Sequence, residues 1–435
     1  MFNVRMIHLW SSPLVFVALL AACDAAPAGP RTVLADAGAD AAIIPDADLL
    51  PVEIVGRRIF NDRNLSVRKN QSCSNCHDVT FGFGSPNVAL NGAGAVLPGS
   101  DPTKFGSRKP PTAAYATQAP VRFFDEADGT FVGGNFSDGR ATGARLGSPS
   151  AEQALVPFLS GNEQGLPDLA CVLFRIRQGP YAGNYTSVFG VAINGIAFPA
   201  NTDQLCAQPG NAVPLSPDDR RAAQLEYDNV GRAVAAFEAS PAVNQFSSKY
   251  DAVLDGRATL TQQEMRGLAL YTGKANCAAC HPSAGQLALF TDYTYDNIGV
   301  PANPSNPALI ANPLFRDLGI GGSVNDPSFN GGHKVPTLRN LDQRGANGGT
   351  KAYMHNGVFK TIEQVVHFYN TRDVLRSCSA PGAPGFGLDC WPSPEVVENV
   401  NGDELGNLGM NAAEERALVA FLKTLNDGYY KPVRR

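Results

Sequence analysis

The chain is poor in the residues that most often run redox chemistry: six His and two Trp in 435 residues. Any imidazole chemistry must therefore rest on very few positions. The formal net charge is only −5 and there is no long basic run, so nucleic-acid binding has no electrostatic footprint. After Ala22 no apolar run approaches the roughly twenty residues that a membrane-spanning helix needs. Strand-like alternation is scarce too. What is present in quantity is loop, with 44 Gly and 32 Pro, beside 44% hydrophobic residues, enough for real cores. The length predicts two or three compact domains.

The first residues do not read as fold. Arg5 precedes an apolar stretch over residues 14–22 that is too short to cross a bilayer. It ends in Leu20-Ala21-Ala22-Cys23, which resembles a bacterial lipobox. The expectation is a signal peptide over residues 1–22, a lipidated Cys23, and a flexible Ala/Asp/Pro tether to residue 50. The protein is then exported to the periplasmic side and meets a membrane only through its lipid. The plainer alternative is an ordinary signal peptide with a coincidental Cys.

Nine cysteines divide by context. Cys23 goes to lipid, and four fall in two identical patterns. Cys171, Cys206, Cys378 and Cys390 remain, an even number in an oxidising compartment, which suggests disulfides. Three pairings are open. Joining neighbours gives Cys171–Cys206 and Cys378–Cys390, and free buried thiols are the alternative.

The two patterns are Cys73-Ser74-Asn75-Cys76-His77 and Cys277-Ala278-Ala279-Cys280-His281. Cys-x-x-Cys-His is the attachment motif of c-type haem. Thiols three positions apart on a helical turn reach the two vinyl groups on one haem edge, and the following His is placed to ligate the iron. A zinc site would need both halves to converge on one ion, and it leaves the His after each second Cys unexplained. A thioredoxin-like pair expects a βαβ context that is not visible. Two covalent haems are the expectation.

Helix signals surround the motifs. Thr261 and Glu264 form a capping box leading into the second motif, Thr361 with Gln364 and Asn411 with Glu414 form two more, and Ser216-Pro217-Asp218-Asp219 opens a helix reaching about Ala239. The fold expected is mainly α: two cytochrome c-like domains, each with one covalent haem, and long Gly/Pro-rich loops. The boundary is drawn between Cys206 and Ser216, giving a haem domain over residues 51–213 and a second over 214–435.

These residues, in order, resemble the bacterial di-haem cytochrome c peroxidase family, including its MauG branch. The resemblance runs over nearly everything after residue 51. It rests on the two motifs, on Arg108-Lys109-Pro110-Pro111-Thr112, Asp138-Gly139-Arg140-Ala141, Glu152-Gln153-Ala154 through Pro157 to Glu163, Val335-Pro336-Thr337-Leu338-Arg339-Asn340, Tyr353-Met354-His355-Asn356-Gly357, and Leu405-Gly406-Asn407-Leu408-Gly409. It implies a peroxide site at the N-terminal haem and electron relay through the C-terminal one. Glu163 then matches the distal acid–base carboxylate, with Gln153 as a hydrogen-bond donor and Pro157 keeping the pocket tight. Taken alone, Glu163 reads as a solvated loop acid.

Further expectations follow from the resemblance. No His lies between His77 and Arg108, so the first haem is expected to be open, as in MauG. Fourteen residues after His355 the family places Met or Tyr, and here it is Tyr369, on an apolar stripe with Ile362, Val365 and Val366. The metal ligands are thus His77, His281 and Tyr369, with Met354 as the fallback, and His355 and His367 as neighbours or surface residues. Arg339 is expected at a propionate or between the haems, while Arg108 and Arg140 are open. Two departures stand out. Ser137 occupies the position of the family's inter-haem Trp. Lys109 occupies that of the Asn on an inter-domain calcium, where Thr350 and Ala352 would offer carbonyls, so calcium is doubtful and Lys109 is expected to replace its charge. The partners implied are hydrogen peroxide and either a soluble donor (a cytochrome c or cupredoxin) or a specific protein side chain. The alternative is a non-enzymatic di-haem electron-transfer cytochrome, and a haem-based sensor is a weaker third reading.

Overall fold

The computed structural model describes residues 45–285, 287–345 and 348–430. The signal-peptide and Cys23 readings lie outside these residues. Seven helices of ten or more residues organise the described chain: α1 (Pro51–Phe60), α2 (Pro149–Leu159), α3 (Leu169–Gln178), α4 (Pro217–Ala239), α5 (Gln262–Thr272), α6 (Ile362–Thr371) and α7 (Ala412–Leu422). Strands are very short. β1 (Phe123–Asp125) and β2 (Thr130–Val132) pair antiparallel, as do β3 (Tyr295–Asp296) and β4 (His333–Lys334), while β5 (Arg376–Ser377) and β6 (Cys390–Trp391) run parallel. The protein is helix-rich with little sheet, as the capping signals and the scarcity of strand alternation predict.

The helix starts follow local chemistry. In α5 the Glu264 N–H donates to Thr261 Oγ1 and the Thr261 N–H to Glu264 Oε2, and Asn411 and Glu414 do the same for α7. In α4, Ser216 Oγ accepts from the Asp219 N–H, ahead of Pro217. The box at α6 is only half formed. Thr361 Oγ1 accepts from the Gln364 N–H, but Gln364 Oε1 takes the N–H of Lys360 instead of that of Thr361.

Two glycines set the main crossings. A Cβ at Gly56 would lie 1.9 Å from the Ala233 carbonyl oxygen, and one at Gly267 would lie 2.0 Å from that of Ala417. Glycine inside a helix costs about 1 kcal/mol relative to alanine, so its place here is explained by the close approach of α1 to α4 and of α5 to α7. Each haem motif therefore follows a helix that crosses a later helix at glycine.

This pairing moves the expected boundary. Val230, Ala233, Val234 and Phe237 of α4 join Val55, Ile59, Phe60, Leu155 and Phe158 in one core, which runs on to Val243. The Pro/Asn-rich stretch before Ser216 is a surface loop that returns the chain to the same core, not a linker. It is tied down by the Cys171–Cys206 disulfide and by Asp168, which accepts from the Val213 N–H and pairs with Arg220. The tether is shorter than expected, because residues 46–48 form a 3₁₀ turn and Leu49 is buried in the first core. A second core joins Tyr271, Phe290, Ile362, Val366, Leu418 and Phe421. A smaller one holds Phe359, Phe368 and Trp391, beside the Cys378–Cys390 disulfide. Of the three open pairings the structure forms the one between neighbours.

Candidate active site

The two motif loops are near copies. Each is a 3₁₀ turn, Cys73–Asn75 and Cys277–Ala279, closed by a 2.9 Å bond from the His N–H to the carbonyl of the first Cys. His77 Nδ1 lies 3.0 Å from the Phe83 carbonyl oxygen and His281 Nδ1 lies 2.7 Å from that of Phe290. With Nδ1–H donating, Nε2 is the nitrogen left for a metal. Both phenylalanines hold positive φ, 57° and 54°, which turns their carbonyls inward. The segment before each is pinned from behind. Thr112 Oγ1 donates to the Gly82 carbonyl (2.6 Å) and Thr337 Oγ1 to that of Leu289 (2.7 Å). Sequence reasoning found the motifs but not these clamps. The Pro-Thr pair recurring after each motif was the available signal.

A cavity of about 770 Å³ is lined by both motifs. The residues present fit covalently held haem. All four motif cysteines are unpaired, while the other four described cysteines are joined in disulfides. Burial pushes the thiols up, to about 12 for Cys76, Cys277 and Cys280. The zinc alternative fails on geometry. Among the described residues the one cluster able to converge on an ion is Asp317, His333 and His355, with no motif residue in it.

The walls facing the motifs differ. By the first motif, Gln153 and Pro157 lie one turn apart on α2 and line the cavity with Glu163. The turn that carries Glu163 is held by a 2.6 Å bond from the Ser100 N–H to its carbonyl and a 2.7 Å bond from the Val67 N–H to that of Gln164. Gly99 packs so tightly there that a Cβ would lie 2.6 Å from the Asn162 carbonyl oxygen. Burial pushes the Glu163 carboxyl up, against a Ser160 hydrogen bond and the more distant Arg140. On the second side, Tyr369 lines the cavity from α6 with Ile362, Val365 and Val366. Burial, with Asp296 and the motif thiols, pushes its phenol up. Met354 and Ser137 line the same cavity.

Several expectations change. Arg339 is only 1% exposed, and its fork is taken by Asp251, at 3.0 and 2.7 Å, while Nε donates to the Ala288 carbonyl at 2.6 Å. The bidentate face expected for a propionate is thus filled by a protein carboxylate. Arg108 is taken similarly by Asp317, at 2.6 Å twice, and by Asp138. Lys109 does not sit among the carbonyls of Thr350 and Ala352. Its ammonium reaches the Pro110 carbonyl at 3.4 Å, and Thr350 O accepts from Asn91. The amine that sits among carbonyls is Lys360, at 2.8, 2.6 and 2.6 Å from those of Asn91, Ala93 and Gly357.

Two further features were not anticipated. Glu238, on the Gly231–Val234 stripe of α4, is a further carboxyl lining the cavity, near Cys73, and burial pushes it up to about 8. A charged residue on an apolar helical stripe was the signal. His333 and His355 stack at 3.7 Å, with Glu395 3.2 Å from His355 Nε2. His367 instead pairs with Glu415.

Comparison with known proteins agrees with this geometry. The family described as di-haem cytochrome c peroxidase matches residues 52–259. The chain is 32% identical to methylamine utilization protein MauG of Paracoccus denitrificans, over 87% of this chain and 89% of that one. It is 26% identical to cytochrome-c peroxidase IdrP2 of Denitromonas iodatirespirans, over 90% and 86%. The crystal structure of the diheme peroxidase BthA from Burkholderia thailandensis superposes with a TM-score of 0.68 at 30% identity, covering 87% of this chain and 86% of that one. Two motif loops facing one cavity, and likeness over almost the whole length, place this chain in the MauG-like di-haem cytochrome c peroxidase family.

Proposed function

We propose that this chain is an exported oxidoreductase that reduces hydrogen peroxide beside His77 and draws the electrons from a protein partner through the His281 site. The observation that carries the reading is the single cavity with a raised carboxyl by one motif and a phenol by the other. Cys73, Cys76 and His77 would hold one haem c, and Cys277, Cys280 and His281 the other, with Tyr369 as a further ligand. When bound, the haems supply redox-active iron able to hold the oxidising equivalents of peroxide. The chain's part is proton handling and exclusion of water. Glu163 takes a proton from peroxide and returns it to the departing oxygen, which leaves as water. Gln153 donates a hydrogen bond to the charge that develops, and Pro157 narrows the space beside it. Two electrons and two protons per peroxide yield two waters. The electrons come from a small redox protein or from a side chain of a specific protein, which is oxidised in the process.

Export is supported by the two disulfides and by the apolar, Cys-terminated N-terminus. Among the described residues no helix is long and apolar enough to cross a membrane, and a lipid on Cys23 is the proposed attachment. The test of the whole reading is Glu163→Gln in the haem-loaded protein. The second-order rate with peroxide should fall by about 10²–10⁴-fold, the usual worth of a positioned acid–base group. An unchanged rate would favour a plain electron carrier.

A further inference from the structure

The cavity that both motifs share is lined by cations whose anions are accounted for and by two whose anions are not. Arg339 is held by Asp251, Arg108 by Asp317 and Asp138, and Arg140 by Asp138. Lys109 and Lys351 line the same cavity, and among the described residues neither makes an ion pair. Lys109 Nζ reaches the Pro110 carbonyl at 3.4 Å, and Lys351 Nζ donates to the Asn340 carbonyl at 2.6 Å. The carboxylate that acts on Lys351, Asp342, is already taken by Arg344 at 3.0 and 2.7 Å. A third amine on the cavity wall, Lys334, has the Asn135 side-chain oxygen at 3.2 Å and the face of the Tyr293 ring. The first two amines are also neighbours: burial lowers both, and the Lys109 charge lowers Lys351 further. Their backbones are fixed. The Lys109 N–H donates to the His355 carbonyl at 2.9 Å, and Lys351 follows Thr350, whose carbonyl accepts from Asn91. Lys109 stands on the first-motif side, where burial and then its charge lower the His77 imidazole. Two like charges side by side in a buried wall cost free energy unless an anion meets them. The chain supplies none, so the anion belongs to what fills the cavity. Haem brings its own, two propionates on the edge remote from the thioethers.

We propose that Lys109 and Lys351 together hold the propionates of the haem borne by Cys73 and Cys76, in place of the arginine forks that protein carboxylates have taken. The inference rests on the reading that this motif carries a covalent haem, and adds the anchor of its far edge. Two ammonium groups beside that haem also favour the less positive, ferrous iron, so they raise the potential of this centre. The experiment uses the haem-loaded full chain in a redox titration followed by optical and EPR spectra, so that the two centres are read separately. In Lys109→Met with Lys351→Met, the ferrous-to-ferric ratio of the first centre at a given applied potential should fall by about tenfold or more, a drop of about 59 mV for each tenfold. The second centre should be unchanged, and both haems should stay on the chain in a denaturing gel, because thioethers hold them. Lys109→Arg with Lys351→Arg keeps the charge and should stay near the wild-type potential. An unchanged first centre in the Met pair overturns the proposal, as do equal falls at both centres. A fall that the Arg pair shares also overturns it, since the role is then structural. A crystal structure of the haem-loaded wild type tests the same point without any variant: both amines should lie at hydrogen-bond distance from propionate oxygens of the first haem, and propionates held by other groups overturn the inference. A wild-type chain that retains no haem would sink the haem reading itself, whereas a haem-bearing chain with its propionates elsewhere would count against this inference alone.

Discussion

The two motif loops share a scaffold and differ in what faces it. On the scaffold side, a 3₁₀ turn, a His Nδ1 held by a left-handed Phe carbonyl and a Thr hydroxyl behind it recur at His77 and His281. On the facing side, the first wall offers the Gln153 amide, Pro157 and the raised Glu163 carboxyl, while the second offers the Tyr369 phenol on an aliphatic helix face, with the raised carboxyl of Asp296 near it. The binding of the group is thus built twice, and the division of labour is written only in the facing wall. An acid beside an amide donor suits bond cleavage, while a phenol on an aliphatic helix face suits a sealed electron relay.

The most severe break of the comparison removes one motif at a time. Cys73→Ser with Cys76→Ser and Cys277→Ser with Cys280→Ser should each halve the haem stain retained on a denaturing gel. The first should abolish rapid peroxide consumption. The second should keep the initial peroxide reaction but lose sustained turnover with a protein donor. Equal kinetic losses in the two variants would erase the proposed division.

A second comparison concerns the helix crossings. Gly56→Ala and Gly267→Ala each push a methyl into a facing carbonyl, at 1.9 and 2.0 Å. Overpacking of this kind typically costs about 1–3 kcal/mol, which outweighs the gain in helix propensity. Chemical denaturation should show both losses, and a stabilised variant at either site would mean that its helices can part freely.

These crossings also show what could be read in advance. The haem motifs are short local patterns, while Gln153, Pro157 and Glu163 stand out only through the family resemblance, and the structure lines one cavity with all of them. The partner of Gly56 lies 177 positions away in α4, so a Pro/Asn-rich loop passed for a domain boundary. The partner of Arg339 was hidden for the same reason: Asp251 is 88 residues distant, and an arginine fork gives no hint of which anion fills it. The carbonyls of Phe83 and Phe290 depend on positive φ, which a Phe side chain does not advertise.

The carboxyl pair sharpens the comparison through pH. Glu238 is held up at about 8 by burial, so the folded chain keeps its proton where the unfolded chain has lost it. Stability from this group therefore falls as pH rises from the ordinary carboxyl range to about 8. Glu238→Gln should remove that slope, and the variant should gain on the order of 1 kcal/mol relative to wild type between pH 5 and 8, with water in the cavity moderating the effect. Denaturant titrations at the two pH values test it. A constant difference would mean that Glu238 is ionised throughout.

The smallest effect expected is that of chelation, and it bears on how the halves are joined. Lys360 places an ammonium among the carbonyls of Asn91 and Ala93 from the first half and of Gly357 from the second. Burial lowers the amines of Lys109 and Lys351, to about 8 and about 7. A cation already supplied by the chain leaves calcium little to add. EDTA treatment of the haem-loaded protein should therefore shift Tm by less than about 1 °C, within the range of a surface perturbation. A larger fall, restored by calcium alone, would show that the carbonyls of Thr350 and Ala352 turn to an ion despite the lysines, and that the two halves depend on it.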